Sequence, residues 1–533
     1  MARHYNAVLV CLILTCLCGI QAADLPHFLA ENGGEQFIVH GKPFLIRGGE
    51  LGNSSAGTSS QADVILPQMA RMHLNTVLMP LAWEQLEPQE GTFDFTILDH
   101  WIDVSRRQNL HLVLLWFGSW KNAFSEYAPA WVKADTRRFP RAQAANGAPL
   151  EILSTFGTET LRLDSRAFAA AMAHLREKDQ EQQTVLMVQV ENEIGYLGPG
   201  RDRSPEANRQ FEERVPQELL RQLLARRTEL SPELAAHFNP QGATWREAFG
   251  EAANEVFMAW RYAAWVESVV QAGKKEYPLP MYVNAQLPSL MERPGEYPSG
   301  GPHPYYLEVY RAVAPVIDFY SPDIYWPEFE YWVKRYQFPG NPIFIPEAKI
   351  DAAPYNALYA YGAARAFGFC PFGIESLHDP EPVIMQLYGA ISSLEDMLLP
   401  AQRAGRTRGV VLHAASPRAT QTVALGGYLF EASLSRAWST GTLLANDGGM
   451  LLLESQPDEF FVVGIGLTVK MTRDPDTDTR IAGIASIEEV SRSAAGWAVT
   501  ARLNGDQSNQ GRQLTLDSRT IRTYRVRLYS AGP

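Results

Sequence analysis

Two segments of this chain put carboxylates where chemistry could use them. The apolar run Val185-Leu186-Met187-Val188-Gln189-Val190 leads directly into Glu191-Asn192-Glu193-Ile194-Gly195, and Pro342-Ile343-Phe344-Ile345 leads into Pro346-Glu347-Ala348. Glu193 and Glu347 are 154 residues apart, so only a tertiary fold can join them. Two carboxyls facing one another, one protonated and one ionised, are what cleavage of a glycosidic bond requires. The acid delivers a proton to the leaving oxygen and the carboxylate attacks the anomeric carbon, with retention of configuration when the two groups stand about 5–5.5 Å apart. Mutual repulsion helps keep the acid protonated. Strand alternation places Glu191 and Glu193 on one side and Asn192 on the other. A bulge or twist at the strand end is therefore needed if Asn192 and Glu193 are to serve the same site.

Such residues must be held by a scaffold, and the pattern around them predicts one. Short apolar runs rich in β-branched residues at 44–48, 76–80, 112–116, 185–190, 281–284, 317–321, 343–346 and 368–374 read as eight strands, apolar on both faces as a buried parallel sheet requires. Helical repeats lie between them, such as Ile65, Met69 and Met72, or Phe168, Ala171, Met172 and Leu175. The expected fold is α/β: a (β/α)8 TIM barrel over residues 24–399, its working residues at the C-terminal ends of the strands. The largest insertion, at 198–245, follows the fourth strand. Residues 37–47 read as two short strands about a glycine turn. After about Arg403 the texture becomes alternating, with Trp497, Val499, Ala501 and Leu503 on one face and Tyr524, Val526 and Leu528 in a second run. Turn signals at Gly426-Gly427, Asn446-Asp447-Gly448-Gly449 and Asn504-Gly505 separate such runs. Residues 400–533 are thus expected to form an all-β sandwich, joined through a linker at 400–408.

The first 23 residues read as an export signal: Arg3 and His4 precede an apolar run from Ala7 to Ile20, with Gln21-Ala22-Ala23 as a small-residue cleavage site. Three of the four cysteines lie in it (Cys11, Cys16, Cys18), in a context that does not favour a lipid anchor, leaving Cys370 alone. An exported, periplasmic or secreted protein follows, with no membrane span in the mature chain. The net charge of −12 and the lack of a basic run argue against nucleic acid as a partner. No His pairs with Cys or carboxylate at a metal-ligand interval, His303 and His378 included, and no glycine-rich phosphate loop follows a strand, so neither metal nor cofactor is expected.

Val188-Gln189-Val190-Glu191-Asn192-Glu193-Ile194-Gly195 resembles the clan of retaining (β/α)8 glycosidases. Together with Asn75-Thr76-Val77, Trp83, Glu87-Pro88, Gly91-Thr92-Phe93-Asp94-Phe95 and Gly49-Glu50-Leu51, it is similar within that clan to glycoside hydrolase family 35, the β-galactosidases, over about residues 35–395. The resemblance implies that Glu193 is the acid/base, Glu347 the nucleophile, that Asn192 bonds the sugar 2-hydroxyl, and that Tyr325 orients the nucleophile. The chain departs from the family around the sugar. Gly52-Asn53 stands where His-Tyr is usual, Glu84 where Asn follows the Trp of the second strand, and Trp116-Phe117-Gly118-Ser119-Trp120-Lys121-Asn122 where Cys-Ala-Glu-Trp is usual.

Asn53, Trp83, Glu84, Trp120, Lys121, Asn122, Trp326 and Glu375 follow predicted strands and are candidate sugar contacts, the tryptophans by stacking and the others through hydroxyls. The expected activity is release of terminal non-reducing β-D-galactose from an oligosaccharide of plant cell-wall type. The alternatives are another retaining exo-β-glycosidase, on β-xylosides, α-L-arabinopyranosides or β-glucosides, and a carbohydrate-binding barrel without catalysis.

Overall fold

A computed structural model describes residues 24–31, 34–198, 200–415, 419–476 and 480–532. The predicted export signal at 1–23, with Cys11, Cys16 and Cys18, lies outside the described residues.

Parallel strands β1 (Ile46–Glu50), β2 (Thr76–Ala82), β3 (His111–Lys121), β4 (Val185–Asn192), β5 (Met281–Gln286), β6 (Phe319–Ile324), β7 (Phe344–Ile345 and Glu347–Ala348) and β8 (Gly368–Phe369) pair in sequence order. Pro346, without an N–H, splits β7 in two. The first piece pairs with β8 and the second with β6, so the ring closes through it. The (β/α)8 barrel is therefore present. Several strands extend beyond their predicted ends: β1 and β6 lie about two residues downstream of prediction and β3 runs five residues longer. These shifts add Glu50, Lys121 and Asp323 to the strand ends.

The interior and the outer layer are packed separately. Ile46, Leu78, Val113, Leu115, Leu186, Tyr282, Phe319 and Phe344 form one buried cluster inside the ring, whereas Val77, Met79, Leu112, Leu114, Val190 and Val283 join the helices outside. The N-terminal end of the barrel is plugged by a small antiparallel sheet of His27–Glu31, Gly34–Val39 and Lys42–Pro43, one strand more than the sequence suggested. Its Phe28 and Phe37 pack against each other and against Phe367, tilted or edge-on, at centroid distances of 5.1–5.3 Å. The insertion after β4 is helical, with Pro205–Phe211, Gln217–Ala225, Pro232–His237 and Trp245–Phe249. No helix of the described residues is long and apolar enough to cross a membrane.

Beyond the barrel, two antiparallel sheets face each other. One has the order Thr407–His413, Asp447–Gln456, Glu459–Ile465, Arg522–Ala531, Ile481–Ser493, Gly496–Leu503. The other has the order Thr420–Leu425, Tyr428–Leu434, Leu467–Arg473, Gln513–Thr515. Residues 400–403 are not linker: helix Val383–Arg403 continues through Pro400, and the first sandwich strand starts at Thr407. Gly426-Gly427, with φ of 59° and 79°, makes the expected two-residue hairpin. The other two turn signals behave differently. Asn504-Gly505 leads into a short 3-10 helix. Gly448 and Gly449 sit within a strand, and they are glycines there because a Cβ would meet Leu467 Cδ2 at 2.5 Å and the Tyr355 backbone at 3.0 Å. Val499 is 40% exposed because its strand is an edge, whereas Tyr524, Val526 and Leu528 are buried in an interior strand. Leu451, Leu453, Phe461 and Val463 merge with the barrel's outer core across helix Ala353–Gly362, so the sandwich and barrel share apolar packing.

Phe37→Ala should empty a site that is 1% exposed. Loss of about 3–5 kcal/mol is expected for such a deletion, read as a lower urea midpoint; an unchanged midpoint would show that the plug does not support the barrel.

Candidate active site

Left-handed backbone at two non-glycine residues settles the direction of the strand-four side chains. Glu191 has φ 61° and Glu193 φ 45°. This costs on the order of 1–3 kcal/mol per residue and is kept only where the surroundings impose it. The kink breaks the alternation as the sequence required. The Glu191 carboxyl turns away to accept the Trp120 N–H at 2.9 Å, beside Asp164, while Asn192 and Glu193 both serve the mouth of the barrel. Opposite them, Lys121 and Phe124 exchange backbone hydrogen bonds across Asn122 and Ala123, both left-handed with φ 50° and 63°. This tight turn aims the Asn122 amide at Glu193 Oε2, 2.5 Å away.

Glu347 accepts from the Tyr325 hydroxyl at 2.7 Å and from Asn192 Nδ2 at 3.3 Å. Glu193 and Glu347 are each 3% exposed, and one carboxyl oxygen from each lies within 4.8 Å of the other and of an Asp323 oxygen. The Asn284 amide ties the group together: its Oδ1 accepts the Glu193 N–H at 3.0 Å and its Nδ2 donates to Asp323 at 2.6 Å. Asn53, Lys121, Asn122, Gln286, Leu287, Trp326 and Phe372 complete the wall of a cavity of about 290 Å³. A larger groove of about 750 Å³ runs at the opposite end of the barrel, bordered by Phe37, Phe44 and Pro339, away from these carboxyls.

Burial, and then repulsion from Glu347, pushes the Glu193 carboxyl up to about 8, with Lys121 opposing. Burial also raises Glu50 and Asp323 well above the carboxylate range, and Glu347 adds to both. The Tyr325 phenol is raised by burial and by Glu347 and stays a donor. Burial alone would lower the Lys121 ammonium, but Glu347, Glu193, Glu50 and Asp323 together raise it. Among the described residues, Glu193, Asp323 and Glu347 are the group whose carboxyls approach closely enough to share a cation. The Lys121 charge beside them weakens that option.

The structure brings together Glu193, Glu347, Asn192, Tyr325, Asn53, Lys121, Asn122 and Trp326. Four other candidates do not line this cavity, and the burial of the two tryptophans corrects the expectation that they stack on a sugar. Trp83 is fully buried, its indole N–H donating to Glu87 at 2.9 Å. Trp120 is fully buried against Tyr262 and Trp265, where four residues of β3, 117–120, bulge against the single Glu191 of β4. Glu84 pairs with Lys133 at 3.1 Å. Glu375 accepts from Gly52 N–H at 2.8 Å and Ser55 Oγ at 2.5 Å, holding the loop that carries Asn53. Asp323, Glu50, Asn284, Gln286 and Phe372 were missed. Asp323 and Glu50 carried a usable signal, a carboxylate at a strand end, but became visible only once the strands' true ends were known.

Residues 55–266 match the model of glycoside hydrolase family 42, whose description is Beta-galactosidase; the match includes Glu193 and ends before Glu347. The matched model is that of family 42 and not of family 35, to which the sequence resemblance had pointed, so family 35 is not supported. Residues 384–515, covering most of the last barrel helix and the sandwich, match a domain of unknown function (DUF5597). No curated protein matches the chain. Among solved structures, a β-galactosidase from the psychrophilic Marinomonas ef1 is similar at 12% identity over 66% of this chain and 61% of its own, with a TM-score of 0.45. A β-mannanase from the blue mussel Mytilus edulis is similar at 12% identity over 69% of this chain and 97% of its own, with a TM-score of 0.42. The chain thus spans under two thirds of the length of the first of these.

The raised Glu193 carboxyl has a consequence for stability. The folded state holds this proton more tightly than the unfolded chain, whose value is near the ordinary 4.5, so the contribution is full below that pH and is lost as pH rises through about 8. Glu193→Gln removes the titration. The variant's melting temperature relative to the parent should therefore climb between pH 5 and pH 8; a constant difference would show that Glu193 is not perturbed.

Proposed function

We propose that this protein is a retaining exo-β-glycosidase that releases terminal β-D-galactose from a neutral oligosaccharide, with Glu193 as acid/base and Glu347 as nucleophile. The observation that carries this proposal is the convergence of these two buried carboxyls, from strands four and seven, within 4.8 Å over a cavity large enough for one sugar ring. That spacing suits direct attack by a carboxylate and leaves little room for an intervening water. A pocket, as opposed to a long cleft, suits removal of a terminal unit. The galactoside preference is supported by the description of the family matched at 55–266. An exported location, from the leader at 1–23, and a substrate of plant cell-wall type belong to the same proposal.

In the first half-reaction Glu347, held by Tyr325 and Asn192, bonds to the anomeric carbon while the proton of Glu193 passes to the leaving oxygen and the glycosidic bond breaks. Esterification neutralises Glu347. That removes the charge which, after burial, does most to keep Glu193 protonated. Glu193 thereby becomes the base that takes a proton from water, whose oxygen displaces Glu347 and restores both groups. Asn122 and the Asn284-bound backbone keep the Glu193 carboxyl oriented through both steps.

Proton NMR of the first-formed anomer from an aryl β-galactoside should show the β form. Glu347→Gln should lower kcat by about 10⁴-fold or more, on the scale of losing a catalytic nucleophile, while substrate still binds. Glu193→Ala should slow poor leaving groups far more than activated aryl ones. The alkaline limb of kcat/KM should lie near pH 8, where Glu193 loses its proton. Turnover of xylosides, arabinopyranosides or glucosides in preference to galactosides would overturn the sugar assignment; unchanged rates in both glutamate variants would overturn the mechanism.

A further inference from the structure

Two polar side chains at the mouth, the Lys121 ammonium and the Asp323 carboxyl, have no part in the bond-making steps. Lys121 is 5% exposed, its Nζ lies 5.3 Å from the centroid of the Phe117 ring, and it lines the cavity. Among the described residues this ammonium makes no hydrogen bond and no ion pair within 4.0 Å, although four carboxyls surround it. Its three donors are therefore unused. Asp323, 1% exposed, has the opposite deficit. Its Oδ2 is taken by the Asn284 amide at 2.6 Å, whereas its buried Oδ1 meets no amide, hydroxyl or ammonium donor, with the Glu193 carboxyl beside the side chain. The buried Oδ1 atoms of Asn53 and Asn192 also lack donors. Unused donors and unused acceptors thus border one cavity without satisfying each other. Buried polar groups are rarely left so.

The chemistry of these groups selects what completes them. A hydroxyl both accepts and donates through one oxygen, so a polyol can serve Lys121 and Asp323 together. A carboxylate ligand only accepts, and it would be brought against Glu50, Glu193, Asp323 and Glu347. An ammonium ligand only donates and would meet Lys121. We propose that Lys121 and Asp323 are the specificity pair of this site, Lys121 donating to and Asp323 accepting from hydroxyls of a neutral pyranose seated over Glu193 and Glu347. This rests on the glycosidase function proposed above. It adds Asp323 as a substrate contact and predicts that uronic acids are rejected.

The test uses the full chain with Glu347→Gln, which binds without turnover. Calorimetry with methyl β-galactoside, β-glucoside, β-xyloside and α-L-arabinopyranoside first identifies the preferred glycone. Its monodeoxy analogues and, where one exists, the matching uronide are then titrated into this protein and into the same protein carrying Lys121→Met or Asp323→Asn. The asparagine variant keeps the side-chain shape and can still accept from Asn284, and Lys121→Gln provides a second, polar replacement. One or two deoxygenations should weaken binding about 10- to 100-fold, the scale of a hydrogen bond to a charged group. The same deoxygenations should cost under about 3-fold once the partner residue is replaced, and the uronide should bind at least about tenfold more weakly than the neutral sugar. Deoxygenation penalties that are equal in all backgrounds overturn the pair while leaving the hydrolytic function intact. Failure of every neutral glycoside to bind overturns both.

Discussion

Four carboxyls and one ammonium, all buried, crowd together at the mouth of this barrel. In such a place charges interact far more strongly than in bulk solvent, so the carboxyls cannot all ionise together. The protein resolves this unevenly. Glu193 keeps its proton up to about 8, Glu50 and Asp323 are raised as well, and Glu347 is the carboxyl supplied with donors, from Tyr325 and Asn192. The proposed division of labour between an acid and a nucleophile rests on this difference in surroundings, since the two side chains are chemically identical.

Holding such a cluster requires backbone that cannot relax. Glu191, Glu193, Asn122 and Ala123 all adopt left-handed conformations without being glycine, and they face each other across the β3 and β4 ends. Their strain is opposed by specific bonds: Trp120 N–H to Glu191, Asn284 to the Glu193 N–H, and the paired backbone bonds of Lys121 and Phe124. The stability that tolerates this strain lies elsewhere. An aromatic plug closes the far end of the barrel, and the sandwich shares an apolar core with helix Ala353–Gly362, which directly follows the strand carrying Glu347.

The order of strands and helices, and the meeting of Glu193 and Glu347 at the C-terminal strand ends, were legible in the linear chain. Each depends on local information: apolar periodicity, a strand run ending in Glu, and the Asn-Glu pair with its neighbours. The same local information even required a kink at Glu191–Glu193, because alternation with period two could not otherwise put Asn192 and Glu193 on one side.

Which of the remaining side chains line the cavity was decided only by three-dimensional packing. Trp83 and Trp120 stand beside strand ends as a stacking platform would, yet both are sealed into the core between strands and helices, Trp120 at a bulge in β3. Glu50 and Asp323 stayed hidden because a displacement of about two residues in a strand end determines which residue crowns it, and apolar periodicity does not locate strand ends that finely. Local sequence determines which elements form and which faces they bury. The register between elements 100 or more residues apart determines which polar atoms share a cavity, and that is a property of the closed barrel alone.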